Sequence, residues 1–190
     1  DQRLPLDWKT ALVTPIHKKG PTTSPENYRP ISITSTCCRA MERIINKFIM
    51  KYLLYHNLIE CCQHGFIPAR STTTNILECA QQWTDAITNR QNLDIIYLDF
   101  RKAFDSVSHV KLMNKIYTYG FGDNMKGWIV AFLKLRSQRV NINGSISDKV
   151  SVTSGVPQGS VLGQTLFLLF INDLPSTFAN SDTICKLFAD

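Results

Sequence analysis

The sequence predicts an α+β fold, an antiparallel sheet backed by helices. Three observations carry this. Residues 93–99 and 183–190 are apolar runs rich in β-branched and aromatic side chains, of the kind that form buried strands. Apolar side chains recur at helical spacing in several longer stretches between the short strand-like ones. Asn143-Gly144, set between alternating runs, is a strong hairpin signal. It argues against a parallel βαβ series, whose strands need long crossovers.

The chain has 190 residues, enough for one sizeable core or one large domain with a subdomain. A net charge of +6 fits a polyanionic partner. The six cysteines include the adjacent pairs Cys37-Cys38 and Cys61-Cys62 and no Cys-x-x-Cys. That is neither a zinc pattern nor a secreted disulfide framework, and it implies reduced thiols in an intracellular protein. No signal peptide is evident, and the longest apolar run, residues 166–171, fits a buried core helix rather than a membrane span. The chain starts without methionine and stops on an acid, as a fragment would.

In chain order, residues 8–20 form a short strand running into a basic turn. Residues 21–28 are a polar loop, and Arg29-Pro30-Ile31-Ser32-Ile33 starts a second strand, with Pro30 where a missing N–H is tolerated. The result is a hairpin with a basic loop, able to close over a phosphate chain or simply to be solvated. Residues 38–54 form an amphipathic helix with Met41, Ile44, Ile45, Phe48, Ile49, Tyr52 and Leu53 on the buried face. Arg39, Arg43, Lys47 and Lys51 lie mostly on the solvated one. A turn-rich loop, residues 63–71, follows; Ser71 or Thr72 caps the next helix, whose buried side is Ile76, Leu77, Ala80, Trp83 and Ile87. Leu112, Met113 and Ile116 mark a short helix stopping at Gly120. Met125, Trp128, Ile129, Phe132 and Leu133 mark another, and the Asn143-Gly144 hairpin follows. These last three elements are scaffold. In residues 154–163, two glycines and a proline precede an apolar helix, which permits close backbone approach to a ligand or marks a tight turn into the helix.

The chemistry centres on acids at strand ends. Asp99 closes the first run, and an acid there costs desolvation unless something compensates it. A hard divalent cation is one such compensation, and a helix-start carboxylate is the bland alternative. Asp105, six residues on, is expected to be of the bland kind. Asp190 closes the second run. Two such strands side by side would bring two carboxylates to one end of a sheet, the arrangement of a two-metal phosphoryl-transfer site.

These stretches resemble the reverse transcriptases. Residues 93–105 are similar to their motif A, and Phe188-Ala189-Asp190 to the start of motif C. Pro15-Ile16-His17-Lys18-Lys19-Gly20 and Asn27-Tyr28-Arg29-Pro30-Ile31-Ser32 resemble the fingers motifs. Gln63-His64-Gly65-Phe66 resembles a segment near the template strand, and Gly155-Val156-Pro157-Gln158-Gly159-Ser160 resembles motif B. The motifs occur in family order across residues 8–190. The wording is closest to the non-LTR (LINE-type) branch, of Jockey or CR1 character. Gln164 stands where the family has proline, and a second motif C acid, a thumb, an endonuclease and a zinc knuckle are missing.

The resemblance implies the fingers and palm of a right-hand RNA-directed DNA polymerase. Residues 1–92 would be fingers with part of the palm, and residues 93–190 a palm truncated at motif C, without a thumb. Asp99 and Asp190 would be catalytic, holding two Mg²⁺ (or Mn²⁺) with the backbone carbonyl of Phe100. Lys18 and Arg29 would grip the incoming dNTP, Arg suiting phosphate through its planar fork. Phe104 would exclude a 2′-hydroxyl, and Gln158 would touch the nascent base pair. Arg70 and Gly159 would face template and primer. Partners would be an RNA template, a DNA primer and dNTPs, with no membrane, and action in the nucleus during target-primed synthesis. His17, His64 and Asp173 receive no chemical role. Two other readings stand beside this one. One is a decayed, inactive nucleic-acid-binding relic; the other is an α/β phosphatase with strand-end aspartates.

Overall fold

A computed structural model describes residues 4–178 and 183–189. Its sheet is built around β1 (Thr10–His17). β2 (Tyr28–Ile33) runs antiparallel to it, with Pro15 opposite Pro30 and Ile16 opposite Arg29. The basic-loop hairpin expected from the sequence is thus formed. On the other side β3 (Ser137–Ile142) pairs with β1 in parallel, Thr10 opposite Ser137. The short strands β4 (Ser145–Ile146) and β5 (Val150–Ser151) both run antiparallel to β3. The sheet is therefore mixed, not antiparallel throughout. Asn143 and Gly144 take φ of 51° and 88° between β3 and β4, the double left-handed turn that Asn-Gly favours.

The two facing prolines fit because of register. The Ser32 N–H points away from β1, onto the Gln158 carbonyl at 2.7 Å. Pro30, two residues earlier, shares that outward orientation, so its missing N–H costs the ladder nothing.

The described residues form five α-helices. α1 is Thr36–Tyr55, α2 Thr72–Thr88, α3 His109–Thr118, α4 Asp123–Leu133 and α5 Val161–Ile171. Of these, α1, α3, α4 and α5 build the core. α5 is apolar nearly all round and lies at the centre, with Leu162, Leu166, Phe167, Leu168 and Leu169 buried. α1 and α3 pack on it; Leu112 and Ile116 of α3, and Ile129, Phe132 and Leu133 of α4, supply the surrounding layer. For α3 and α4 the helical spacing identified the buried face correctly, and the apolar run 166–171 lies, as expected, in a buried helix, α5. Ser71 caps α2, accepting from the Thr74 N–H at 3.2 Å while Thr74 Oγ1 accepts from the Ser71 N–H, a reciprocal capping box.

Three further expectations about these elements need correction. First, residues 91–100 are not a buried strand. They carry no regular structure, and Ile96 and Tyr97 are each 81% exposed. A strand exists only where a neighbour completes its ladder, and no described residue pairs with this run. Residues 183–189 likewise make a single parallel bridge, Leu187 to Gln63. Second, the buried face of α1 is rotated from the apolar one: Cys38, Glu42, Ile49, Met50 and Leu53 are buried, while Met41, Ile44 and Phe48 are exposed. Glu42 is on the inner face because its carboxylate accepts the Leu162 N–H at 3.0 Å, at the N-terminus of α5. Third, α2 buries only Ala86; Ile76, Leu77 and Ile87 face solvent, and Ala80 and Trp83 are half-buried.

All six cysteines are free thiols. Among the described residues no helix is long and apolar enough to cross a membrane.

Candidate nucleotidyl-transfer site

Three separate segments meet beside the sheet: the turn 101–107, the loop 153–160 and strand β2. The turn and loop are joined by backbone bonds, Val156 N–H to Phe104 O at 2.9 Å and Gly155 N–H to Val107 O at 2.8 Å. Gly155 has φ of +83°, and a Cβ there would lie 2.9 Å from the Asp105 backbone. Gly159 has φ of +102°, and a Cβ would lie 3.0 Å from the Ser32 carbonyl oxygen. Each glycine is required twice over, by its own φ and by the backbone pressed against it. His109 closes the same corner with Nε2 2.7 Å from the Gly155 oxygen.

Gln158 lies at the crossing point. Its carbonyl takes the Ser32 N–H, and its Nε2 donates to Asp105 Oδ1 at 3.2 Å. Asp105 is therefore not a helix-start carboxylate: α3 begins later, with Ser108 as its cap. Asp105 instead anchors the side chain of Gln158. A pocket of about 290 Å³ opens here, lined by Pro30, Ser32, Asp105, Ser154 and Gln158 among others.

Phe104 is half-buried beside the pocket, its ring stacked on Phe167 of α5 at 4.6 Å between centroids and edge-on to Phe66 at 6.1 Å. One face of the ring is thus fixed by the core. Behind the loop, Ser160 caps α5, accepting from the Gly163 N–H at 3.0 Å. Gln164 is exposed in the first turn and leaves this cap undisturbed.

Lys18 and Arg29 are exposed at the loop end of the β1–β2 hairpin, where the Lys18 N–H bonds the Asn27 carbonyl at 2.8 Å. Arg29 precedes Ser32 by three residues on one strand, roughly 10 Å. His17 bonds the Gly20 carbonyl at 2.9 Å and packs edge-on to Tyr28, which shapes the turn. Arg70 donates to the carbonyls of Cys61 and Gln63, so its guanidinium shapes its own loop. Asp173 pairs with Lys115 at the end of α5.

Asp99 and Phe100 are exposed in the irregular segment. Asp190 lies outside the described residues. Among those residues no group of three metal-ligating side chains comes together. The donor set at 99–100, a carboxylate without hydrogen-bond or ion-pair partners among the described residues plus a backbone carbonyl, is hard oxygen, which suits Mg²⁺ or Mn²⁺.

The structure also shows what the sequence reading missed. Ser32 and Asp105 hold the loop that carries Gln158 and Gly159, and Glu42 holds the start of the helix behind it. Buried Arg136 packs its guanidinium 4.6 Å over the Phe132 ring and bonds the Phe132 carbonyl. Burial lowers its pKa, and the Cys38 and Glu42 charges oppose that shift. Burial, with Glu42 alongside, pushes the Cys38 thiol up to about 12. The one hint in the sequence was an acid at position 42 on an otherwise apolar helical stripe.

Residues 16–190 match the family described as reverse transcriptase (RNA-dependent DNA polymerase). The chain is 33% identical over 175 residues to a probable RNA-directed DNA polymerase from transposon BS of Drosophila melanogaster. That match covers 92% of this chain and 19% of the relative. It is 32% identical over 173 residues to the RNA-directed DNA polymerase from the mobile element jockey of the same fly, covering 90% and 19%. It is 27% identical over 172 residues to a Pol polyprotein from the type-1 retrotransposable element R2 of Popillia japonica, covering 90% and 24%. The chain spans about a fifth of the length of the first two relatives.

Proposed function

Since the chain belongs to the reverse transcriptase family, in its non-LTR retrotransposon branch, we propose that it is the fingers and palm portion of an RNA-directed DNA polymerase. Residues 1–92 are the fingers with part of the palm, and residues 93–190 the palm. The observation that carries the reading is the crossing at Gln158, which ties the fingers strand to the loop and the loop to the turn behind Asp99.

In the reaction a primer 3′-hydroxyl attacks the α-phosphate of a dNTP and pyrophosphate leaves. Catalysis is mostly positioning and charge neutralisation. Asp99, the Phe100 carbonyl and Asp190 would hold two Mg²⁺, which when bound supply the charge that neutralises the phosphate oxygens. Lys18 and Arg29 grip the triphosphate from the hairpin. Phe104, immobilised on Phe167, fills the space that a 2′-hydroxyl would need. Gln158 and Gly159 face the nascent base pair and template. Arg70 reaches the template backbone only with those N–H groups its own loop leaves free. Priming from nicked chromosomal DNA would place the activity in the nucleus.

The test is primer extension by a full-length polymerase carrying this chain, on an RNA template, with each divalent metal in turn. Metal-dependent dNTP incorporation is expected. Duplex binding without incorporation under any metal would instead identify an inactive relic.

A further inference from the structure

A buried amide and a glycine clasp the backbone that leads to Asp190. Gln63 is 2% exposed, and its Oε1 accepts two backbone N–H groups, from Gly65 at 2.7 Å and from Ala189 at 2.9 Å. The backbone on either side of Gln63 completes the joint: Leu187 N–H donates to Cys62 O at 3.0 Å, and His64 N–H to Leu187 O at 2.9 Å. α2 adds two more ties, an ion pair from Glu78 to Lys186 and the Asn75 amide on the Leu187 carbonyl. Gly65 leaves the room. A Cβ there would lie 2.3 Å from the Ala189 nitrogen and 2.8 Å from its Cα, closer than atoms can approach. Gly65 is not in the left-handed region, so an alanine there is excluded by Ala189 alone.

Ala189 is buried and takes φ of +67°, a conformation L-residues avoid unless the surroundings impose it. The accepting oxygen of Gln63 and the gap at Gly65 are what impose it. The next residue in the chain is Asp190. We propose that Gln63 and Gly65 are positioning residues that set the backbone delivering the second metal-binding acid. The inference deepens the polymerase reading and rests on it for the role of Asp190; the clasp itself is built from residues 62–65 and 187–189. It assigns the Gln-x-Gly stretch to the metal site rather than only to the template side.

The test has two arms. In the first, amide hydrogen exchange is measured on this 190-residue chain. Gln63→Leu keeps the volume and removes the acceptor, and exchange at Ala189 should rise about tenfold, the scale of one lost hydrogen bond. Gln63→Glu, which still accepts both N–H groups, should restore protection. Gly65→Ala should deprotect Ala189 and Leu187 together. Melting curves identify any variant that has unfolded. In the second arm the same substitutions are placed in the full-length polymerase. Gln63→Leu and Gly65→Ala should raise the Mg²⁺ concentration for half-maximal extension and lower kcat, with KM for dNTP unchanged and Gln63→Glu near wild type.

Unchanged Ala189 exchange in folded Gln63→Leu and Gly65→Ala overturns the clasp. Raised exchange with an unaltered Mg²⁺ requirement and kcat overturns the role in positioning the acid. A wild-type polymerase that does not extend, or an Asp99→Ala variant that does, overturns the polymerase reading and this role with it. The exchange arm still reports on the clasp in that case, so the two failures are distinguishable.

Discussion

Helix α5 and the segment 93–100 are both apolar, yet the structure treats them oppositely. In α5 Leu162, Leu166 and Leu169 are fully buried; in the segment Leu98 is 65% and Ile96 81% exposed. The difference is where the backbone polar groups are satisfied. A helix satisfies its own N–H and C=O groups and can be buried on the strength of its side chains alone. A strand needs a second strand, and among the described residues none lies beside 93–100. An apolar run therefore specifies burial only together with a hydrogen-bonding partner. The same contrast separates the two halves of the proposed site: the Gln158 loop is fixed by α5 and β2, while Asp99 stands in solvent.

The comparison can be broken at several points. Asp99→Ala should show the largest effect, a fall in extension rate of about 10³-fold or more. Its melting temperature and its duplex binding should stay at wild-type values, because Asp99 is exposed and makes no hydrogen bond or ion pair among the described residues. A variant that extends at near wild-type rate would remove Asp99 from the chemistry. Next comes a matched pair. Leu166→Ala should cost about 2–5 kcal/mol of stability in denaturant titration, whereas Ile96→Ala should stay within about 0.5 kcal/mol. Equal losses would mean that the segment is packed in solution. Glu42→Leu should cost about 3 kcal/mol, because it strands the Leu162 N–H and leaves buried Arg136 without its nearby carboxylate. An unchanged midpoint would show that this carboxylate is dispensable.

Two smaller effects sharpen the contrast. Phe104→Val should raise the ratio of ribonucleotide to deoxynucleotide specificity constants by about tenfold or more. If the ratio holds in a folded variant, Phe104 is only a core ring on Phe167. The smallest effect concerns Glu78. The hydrogen bond from Lys186 first, then its charge, hold the Glu78 carboxyl below its ordinary value of 4.5. A depressed carboxylate stabilises the fold above its unfolded pKa, and the contribution disappears as pH falls through the folded one. Glu78→Gln should therefore melt slightly lower than wild type at neutral pH, and the gap should close as pH drops from 4.5 downward. A gap that widens in acid would contradict the pairing.

Much of this was legible in the sequence because it is local. Asn143-Gly144 dictates its turn through two φ angles, Ser71 finds its partner three residues on, and α4 shows its buried face in its own spacing. What escaped was long-range. Glu42 interrupts an apolar stripe, but its partner Leu162 lies 120 residues further along the chain. Asp105 reads as a cap until Gln158 arrives from 53 residues away. The rotation of α1 and the exposure of α2 follow the same logic, since spacing defines an apolar stripe but not what covers it. Of the proposed site, Phe104, Gln158 and Gly159 are brought to one corner, Lys18 and Arg29 share the hairpin, and Asp190 lies outside the described residues.

The facing prolines of the hairpin have a consequence for how this protein behaves in a crowded solution. β2 is an edge strand, and a free edge invites a second molecule to extend the sheet. Here every outward N–H of that edge is already committed or missing. Tyr28 donates to the Pro25 carbonyl, position 30 has no hydrogen to give, and Ser32 donates to Gln158. A neighbouring chain approaching β2 finds no donor to pair with. Self-association by strand addition is thereby disfavoured along the rim that carries the proposed nucleotide-binding hairpin.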